Sequence, residues 1–224
     1  MKTKKYGIRG KSHRRNNVTR KQHIKKLQEI YPVCKYDTGS VDHSIYKNHK
    51  IVYGEMEYTG IQQLYTYLCE HYNSNINCFI DIGSGRGKLC MYMAAQPNIN
   101  HVLGIELVKQ RHEDAETLKT QLQSSYANKV VLLNKNVLDL DFNNYSKQRI
   151  FVWLSNLCFD QSTTNDLFVK LKSCLPVGTI ICCSKKPEAI SGFGDSVGIV
   201  VVPMSWTQTS NVYIYILEKE VNKI

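Results

Sequence analysis

The stretch Phe79-Ile80-Asp81-Ile82-Gly83-Ser84-Gly85-Arg86-Gly87-Lys88 decides how this chain folds. An apolar run broken only by Asp81 reads as a buried strand, and glycines at alternate positions read as a sharp turn into a helix. Such glycines let the backbone approach a ligand that a side chain would hold off. Nineteen residues past Gly87, a second apolar run closes on Glu106 in Gly104-Ile105-Glu106-Leu107. An acid at the tip of that strand can grip ribose hydroxyls. The loop is GxGxG with an acid two residues ahead of it, whereas dinucleotide sites favour GxGxxG. Asp81 would repel a pyrophosphate. It suits a nucleoside cofactor carrying an ammonium and a sulfonium, a description that fits S-adenosylmethionine. The competing reading is a glycine turn in an unrelated α/β domain.

Outward from this loop, strands and helices alternate. The apolar runs predict strands at 78–82, 101–106, 129–134, 149–154, 178–183, 197–203 and 211–217. Helices are predicted at 87–95, 109–124 and 161–174, and a helical spacing runs over 59–71. Ile150-Phe151-Val152-Trp153-Leu154 is continuously apolar, as in a central strand buried on both faces. Only residues 203–210 separate the last two strands, too few for a crossover helix, so they form an antiparallel hairpin. Seven strands closed by a hairpin is the plan of a class I S-adenosylmethionine-dependent methyltransferase, an α/β fold with a Rossmann-like sheet.

The 224 residues predict one domain with an arm, and the hydrophobic share of 42% is enough for a core. No apolar run approaches the roughly 18 residues of a membrane span, so no membrane partner is expected. No apolar stretch follows the basic start, which argues against a signal peptide. The cysteines at 34, 69, 78, 90, 158, 174, 182 and 183 form no CxxC pair, and read as reduced thiols with neither disulfides nor a metal site. Of the net charge of +10, all the excess lies in residues 1–26, which hold eleven Lys or Arg and no acid. This segment reads as a flexible basic arm for a polyanion, namely nucleic acid, or else as an import tail. Residues 27–58 form a lead-in with Pro32, Gly39 and Gly54, and 59–224 the catalytic domain.

In such a sheet the ligand lies beyond the carboxyl ends of the strands. Asp81, Gly83, Gly85 and Gly87 follow the first strand and Glu106 ends the second. Asn136 and Val137 follow the third, placed to meet an adenine edge and face, although an Asn there is also a turn former. Ser155-Asn156-Leu157-Cys158-Phe159-Asp160 follows the fourth, where the methyl acceptor meets the cofactor. Enzymes that methylate base amines carry a Pro-Pro pair at this point. Its absence argues against a nucleobase, while the polar group and the aromatic keep an amine acceptor in play. Ser155 or Asp160 can equally cap a helix.

Several segments together resemble the disruptor-of-telomeric-silencing class of histone lysine methyltransferases, which lack a SET domain. Val52-Tyr53-Gly54-Glu55 resembles its cofactor-covering loop, and the glycine loop matches with Lys88 where Gln or Asn is usual. Ser155-Asn156-Leu157-Cys158-Phe159 resembles its Asn-Asn-Phe-Ala-Phe. Cys183-Ser184-Lys185-Lys186-Pro187 resembles its Ser-Ser-Lys-Pro, and Ser205-Trp206-Thr207 its Ser-Trp-Thr, with Tyr213 at the catalytic-channel tyrosine. The segments run in family order over residues 52–217. Asn136-Val137 departs from the usual Asp-Phe at the adenine, and Ser155 from the first Asn.

The resemblance implies cofactor contacts from Tyr53, Glu55, Asp81, Gly83, Gly85, Lys88, Glu106, Asn136, Val137 and Asn156. It implies a catalytic channel of Asn156, Phe159 and Tyr213, with Trp206 as a further wall. The implied substrate is a lysine on the globular core of the third core histone type (H-three) in a nucleosome. Residues 2–26 would anchor a monomeric enzyme on DNA phosphates. The location would then be a nucleus, or a host nucleus or cytoplasmic replication site for a viral protein. Two other readings stand beside it: an RNA or DNA methyltransferase, and a non-catalytic nucleic-acid-binding relative.

Overall fold

The computed structural model describes residues 9–32, 46, 51–72, 75–145, 148–188 and 195–218, with side chains from Thr19 onward, Asn143 excepted. Seven strands form one sheet: β1 (Cys78–Ile82), β2 (His101–Glu106), β3 (Val130–Asn134), β4 (Ile150–Leu154), β5 (Ile180–Cys183), β6 (Gly198–Met204) and β7 (Thr207–Ile216), ordered β3-β2-β1-β4-β5-β7-β6. Strands β1 to β5 are parallel, and β7 runs antiparallel to both β5 and β6. The two strands at the centre, β1 and β4, are buried at every position, as the apolar run of β4 and that of β1, broken only by Asp81, require.

Helices α1 (Arg9–Ile30), α2 (Tyr58–His71), α3 (Lys88–Ala94), α4 (Lys109–Lys119) and α5 (Ser124–Ala127) pack on one face of the sheet, through a core that includes Leu27, Leu64, Met91, Ala115 and Phe151. Helix α6 (Gln161–Cys174) covers the other face, with Leu167, Phe168 and Leu171 against Ile80, Val152 and Tyr215. The predicted helix 109–124 is split in two by residues 120–123, and the predicted helix 161–174 is found as expected.

Two expectations need correction. The hairpin connection is not 203–210 but the turn Ser205-Trp206, because Pro203 sits inside β6. Proline is tolerated there because β6 is an edge strand with its register shifted between Val202 and Met204. The second correction concerns the arm. Residues 9–26, read as flexible, lie in α1; residues 1–8 are outside the described residues. The cause is an apolar seam at helical spacing. Leu27 and Tyr31 are buried, Ile24 and Ile30 pack beside them, and the His23 ring lies 3.2 Å from the Met91 carbonyl. Of the lead-in region, 33–45 and 47–50 lie outside the described residues.

Candidate active site

The parallel register brings the carboxyl ends of β1 to β4 level, and one pocket opens above them. Its floor is the glycine loop. Gly83, Gly85 and Gly87 have φ of 80°, 54° and 81°, the left-handed region in which other residues are strained. The N–H groups of Gly83 and Ser84 donate to the Ile105 carbonyl at 2.8 and 3.0 Å, which joins the loop to β2. The Glu106 carboxylate accepts from Gly85 N at 2.7 Å and from Val108 N at 2.8 Å. Burial raises its pKa, while these donors and the charge of Arg111 oppose the rise.

Asp81 is 2% exposed. One carboxylate oxygen takes a weak bond from Cys90 Sγ at 3.5 Å, and Oδ1 has no partner. Burial pushes the acid up to about 7; the Cys90 bond pulls it down and the charge of Glu106 pushes it further up. An orphaned buried carboxylate oxygen facing a pocket is a receptor for a cation. The ammonium of S-adenosylmethionine fits this oxygen, and its ribose hydroxyls fit Glu106, so the residues present suit the cofactor.

Residues 51–56 cross over this floor. Tyr53 packs so close to Gly85 that a Cβ there would stand 2.6 Å from the ring. The Tyr53 hydroxyl donates to Glu55 Oε1, and Lys88 Nζ donates to Glu55 Oε2 at 2.7 Å. The Lys88–Glu55 pair is almost fully buried, with 4% and 7% of each side chain exposed. A pair so placed specifies a geometry more than it stabilises one. Glu55 also exchanges bonds with the hairpin turn, Glu55 N to Ser205 Oγ at 3.0 Å and Ser205 N to Glu55 O at 2.8 Å. Trp206 lies directly over Gly54.

At the acceptor end, Ser155, Phe159, Asp160, Trp153 and Trp206 line the pocket. Asp160 caps α6 by accepting from Thr163 N at 2.7 Å. At the other end Asn136 and Val137 line it, and Asn136 is also a turn former, its Oδ1 accepting from Leu138 N at 3.1 Å.

Nine of the residues assigned to the cofactor from sequence thus line one cavity: Tyr53, Glu55, Asp81, Gly83, Gly85, Lys88, Glu106, Asn136 and Val137, joined by Phe159 from the channel set. Asn156 and Tyr213 are placed elsewhere. The Asn156 side chain is fully buried and makes three hydrogen bonds: Nδ2 donates to Lys185 O at 2.8 Å, and Oδ1 accepts from Ser184 N at 3.1 Å and Lys185 N at 3.0 Å. It holds the segment after β5 and is not among the residues that line the pocket. Tyr213 pairs with Cys183 and carries the Lys186 ammonium 4.8 Å from its ring centroid. Strand alternation puts it on the α6 side of β7 with Tyr215, so the hairpin supplies Met204 and Trp206 to the pocket instead. Sequence reading missed Arg111. It begins a helix rich in charge, which looks solvated, yet only 8% of it is exposed.

The family model described as "Histone methylation protein DOT1" matches residues 42–187. No curated protein matches the chain. Among solved structures, the magnesium protoporphyrin IX methyltransferase of Synechocystis PCC 6803 with bound SAM superposes with a TM-score of 0.55 at 13% identity, over 91% of this chain and 97% of that one. An RNA methyltransferase of Salinibacter ruber in complex with S-adenosyl-L-homocysteine gives 0.52 at 16% identity, over 72% and 94%. At such identities the likeness speaks for the fold, which is that of class I methyltransferases. The family match over most of the pocket's residues, on that fold, makes the protein an S-adenosylmethionine-dependent methyltransferase, and the chain belongs to the DOT1 histone methylation family.

Proposed function

We propose that this protein transfers a methyl group from S-adenosylmethionine to a lysine on the globular core of the H-three type histone in a nucleosome. The observation that carries this reading is the family membership of residues 42–187. The acceptor end supports it: Phe159 and Trp206 offer aromatic walls beside Ser155, without the prolines of enzymes that act on base amines.

The cofactor supplies an electrophilic methyl group at its sulfonium. Asp81 would hold its ammonium and Glu106 its ribose hydroxyls, and residues 51–56 would shield the pocket from water. A lysine ammonium starts near a pKa of about 10.4, and apolar walls disfavour the charged form. Phe159 and Trp206 therefore favour loss of the proton to solvent and leave a free amine, which only needs to be aimed in line. Asn156 acts as a positioning residue by holding Ser184 and Lys185, and Lys185 Nζ in turn donates to Phe159 O at 2.8 Å. Basic residues of the arm and of α1 would anchor the enzyme on DNA phosphates beside the histone face. With such a substrate the protein would work in a nucleus, or, if viral, in a host nucleus or at a cytoplasmic replication site.

The test offers radiolabelled cofactor with nucleosomes, free histones, duplex DNA and RNA. Label on the H-three histone of nucleosomes is expected. Label on DNA or RNA alone would replace this reading with a nucleic-acid methyltransferase.

A further inference from the structure

At its ribose end the loop 51–56 is held by Arg111, a residue outside the glycine-loop, ribose-acid and channel motifs. Arg111 lies on the first turn of α4, five residues after Glu106. Its Nη2 donates to the Ile51 carbonyl, and its guanidinium carbon sits 4.8 Å from the centroid of the Tyr53 ring. The Tyr53 ring rests on Gly85, and Gly85 N is bonded to Glu106. One buried cation therefore reaches the covering loop by hydrogen bond and by ring face, and the ribose acid by charge. A guanidinium can make all three interactions at once because it is planar, forked and always charged. Among the described residues no ion pair holds Arg111 elsewhere on the protein surface.

We propose that Arg111 is a positioning residue for cofactor retention: it clamps Tyr53 onto the glycine loop and so sets how long the cofactor stays bound. This rests on the cofactor pocket described above. The geometry predicts that the clamp works through Tyr53, so the two residues are energetically coupled.

The two tryptophans of the chain, Trp153 and Trp206, both line the pocket, so their fluorescence reports cofactor binding directly. Arg111→Ala is expected to release S-adenosylmethionine about tenfold faster, the effect of removing one desolvated cation–π interaction with its hydrogen bond. Arg111→Lys should fall between, since an ammonium can reach Ile51 O but cannot stack as a plane. Tyr53→Leu should weaken retention similarly, and the double variant should be no worse than the weaker single one. Amides of 51–56 should exchange faster in the ligand-free Arg111→Ala protein, and KM for the cofactor should rise while kcat at saturation holds. Wild-type release from Arg111→Ala, or losses that simply add with Tyr53→Leu, would overturn the clamp. If the alanine variant does not fold, wild-type release from Arg111→Lys overturns it equally. Failure of the wild-type protein to bind S-adenosylmethionine removes the cofactor reading and this inference with it; normal wild-type binding with an unaffected variant removes this inference alone.

Discussion

The backbone N–H of Gly85 donates to Glu106 Oε2 over 2.7 Å, which joins the glycine loop of one strand end to the acid at the tip of the next. Val108 N on Oε1 holds the other oxygen of the same carboxylate, whose roughly four lone-pair sites give it acceptor capacity for a ribose diol as well. Glu106→Ala is expected to weaken cofactor binding by about 1–3 kcal/mol and to lower the melting temperature of the free protein, since Gly85 N and Val108 N lose their acceptor. Calorimetry showing wild-type affinity in this variant would remove the ribose role.

Asp81 gives the free protein a pH signature. Its ordinary pKa of 3.8 rises to about 7 on folding, so the folded state holds a proton that the unfolded state has lost. Stability from this group is therefore full below about pH 4, falls as pH rises towards 7, and levels off above, a change of a few kcal/mol in order of magnitude. Glu106, also raised, adds in the same sense. Asp81→Asn should flatten melting temperature against pH between about 4 and 7 and raise it at about pH 8. A cationic ligand favours ionised Asp81, so cofactor affinity should climb as pH rises through about 7, and this dependence should weaken in the variant. An unchanged melting profile would remove the assignment.

Asn156 and Trp206 should separate by what they damage. Asn156→Ala leaves Ser184 N, Lys185 N and Lys185 O without their partner, and is expected to cost about 3 kcal/mol of stability with cofactor affinity nearly intact. Trp206→Ala opens the acceptor wall and should lower turnover far more than stability. Tyr213→Phe keeps the ring under Lys186 and should change little. Lost turnover in Asn156→Ala at an unchanged melting temperature would return that residue to the chemistry.

Truncations test the two parts of the arm. Residues 2–18 hold seven of the eleven basic residues of 1–26, while the packed residues His23, Leu27 and Tyr31 lie beyond them. Deleting 2–18 should spare the melting temperature and flatten the salt dependence of nucleosome binding, by about 0.9 in log–log slope for each phosphate no longer neutralised. Deleting 2–30 should destabilise the domain as well. An unaltered salt slope in the shorter deletion favours an import tail.

The sheet was legible because its strands are mostly apolar runs that stop at charged or glycine positions, as β1 does at the glycine loop and β2 at Glu106. Pro203 misled the hairpin boundary because an edge-strand proline and a loop proline look alike without the neighbouring strand. The α1 seam of Ile24, Leu27 and Tyr31 was present in the letters but diluted by lysine and arginine. Most of the residues assigned to the cofactor come together in one pocket because strand ends converge by topology. Asn156 was not, because an amide can face a ligand or a backbone segment 28 residues away, and only the fold selects Ser184. Arg111 was hidden for the same reason: nothing local says that residues 51–53 will fold over it.

The most direct test of the central claim is mass spectrometry of nucleosomes incubated with the full chain and S-adenosylmethionine. The predicted result is a methylated lysine on the globular core of the H-three histone, lost in Glu106→Ala at low cofactor and in Trp206→Ala at saturating cofactor. Unmodified histones together with methylated DNA or RNA would contradict it.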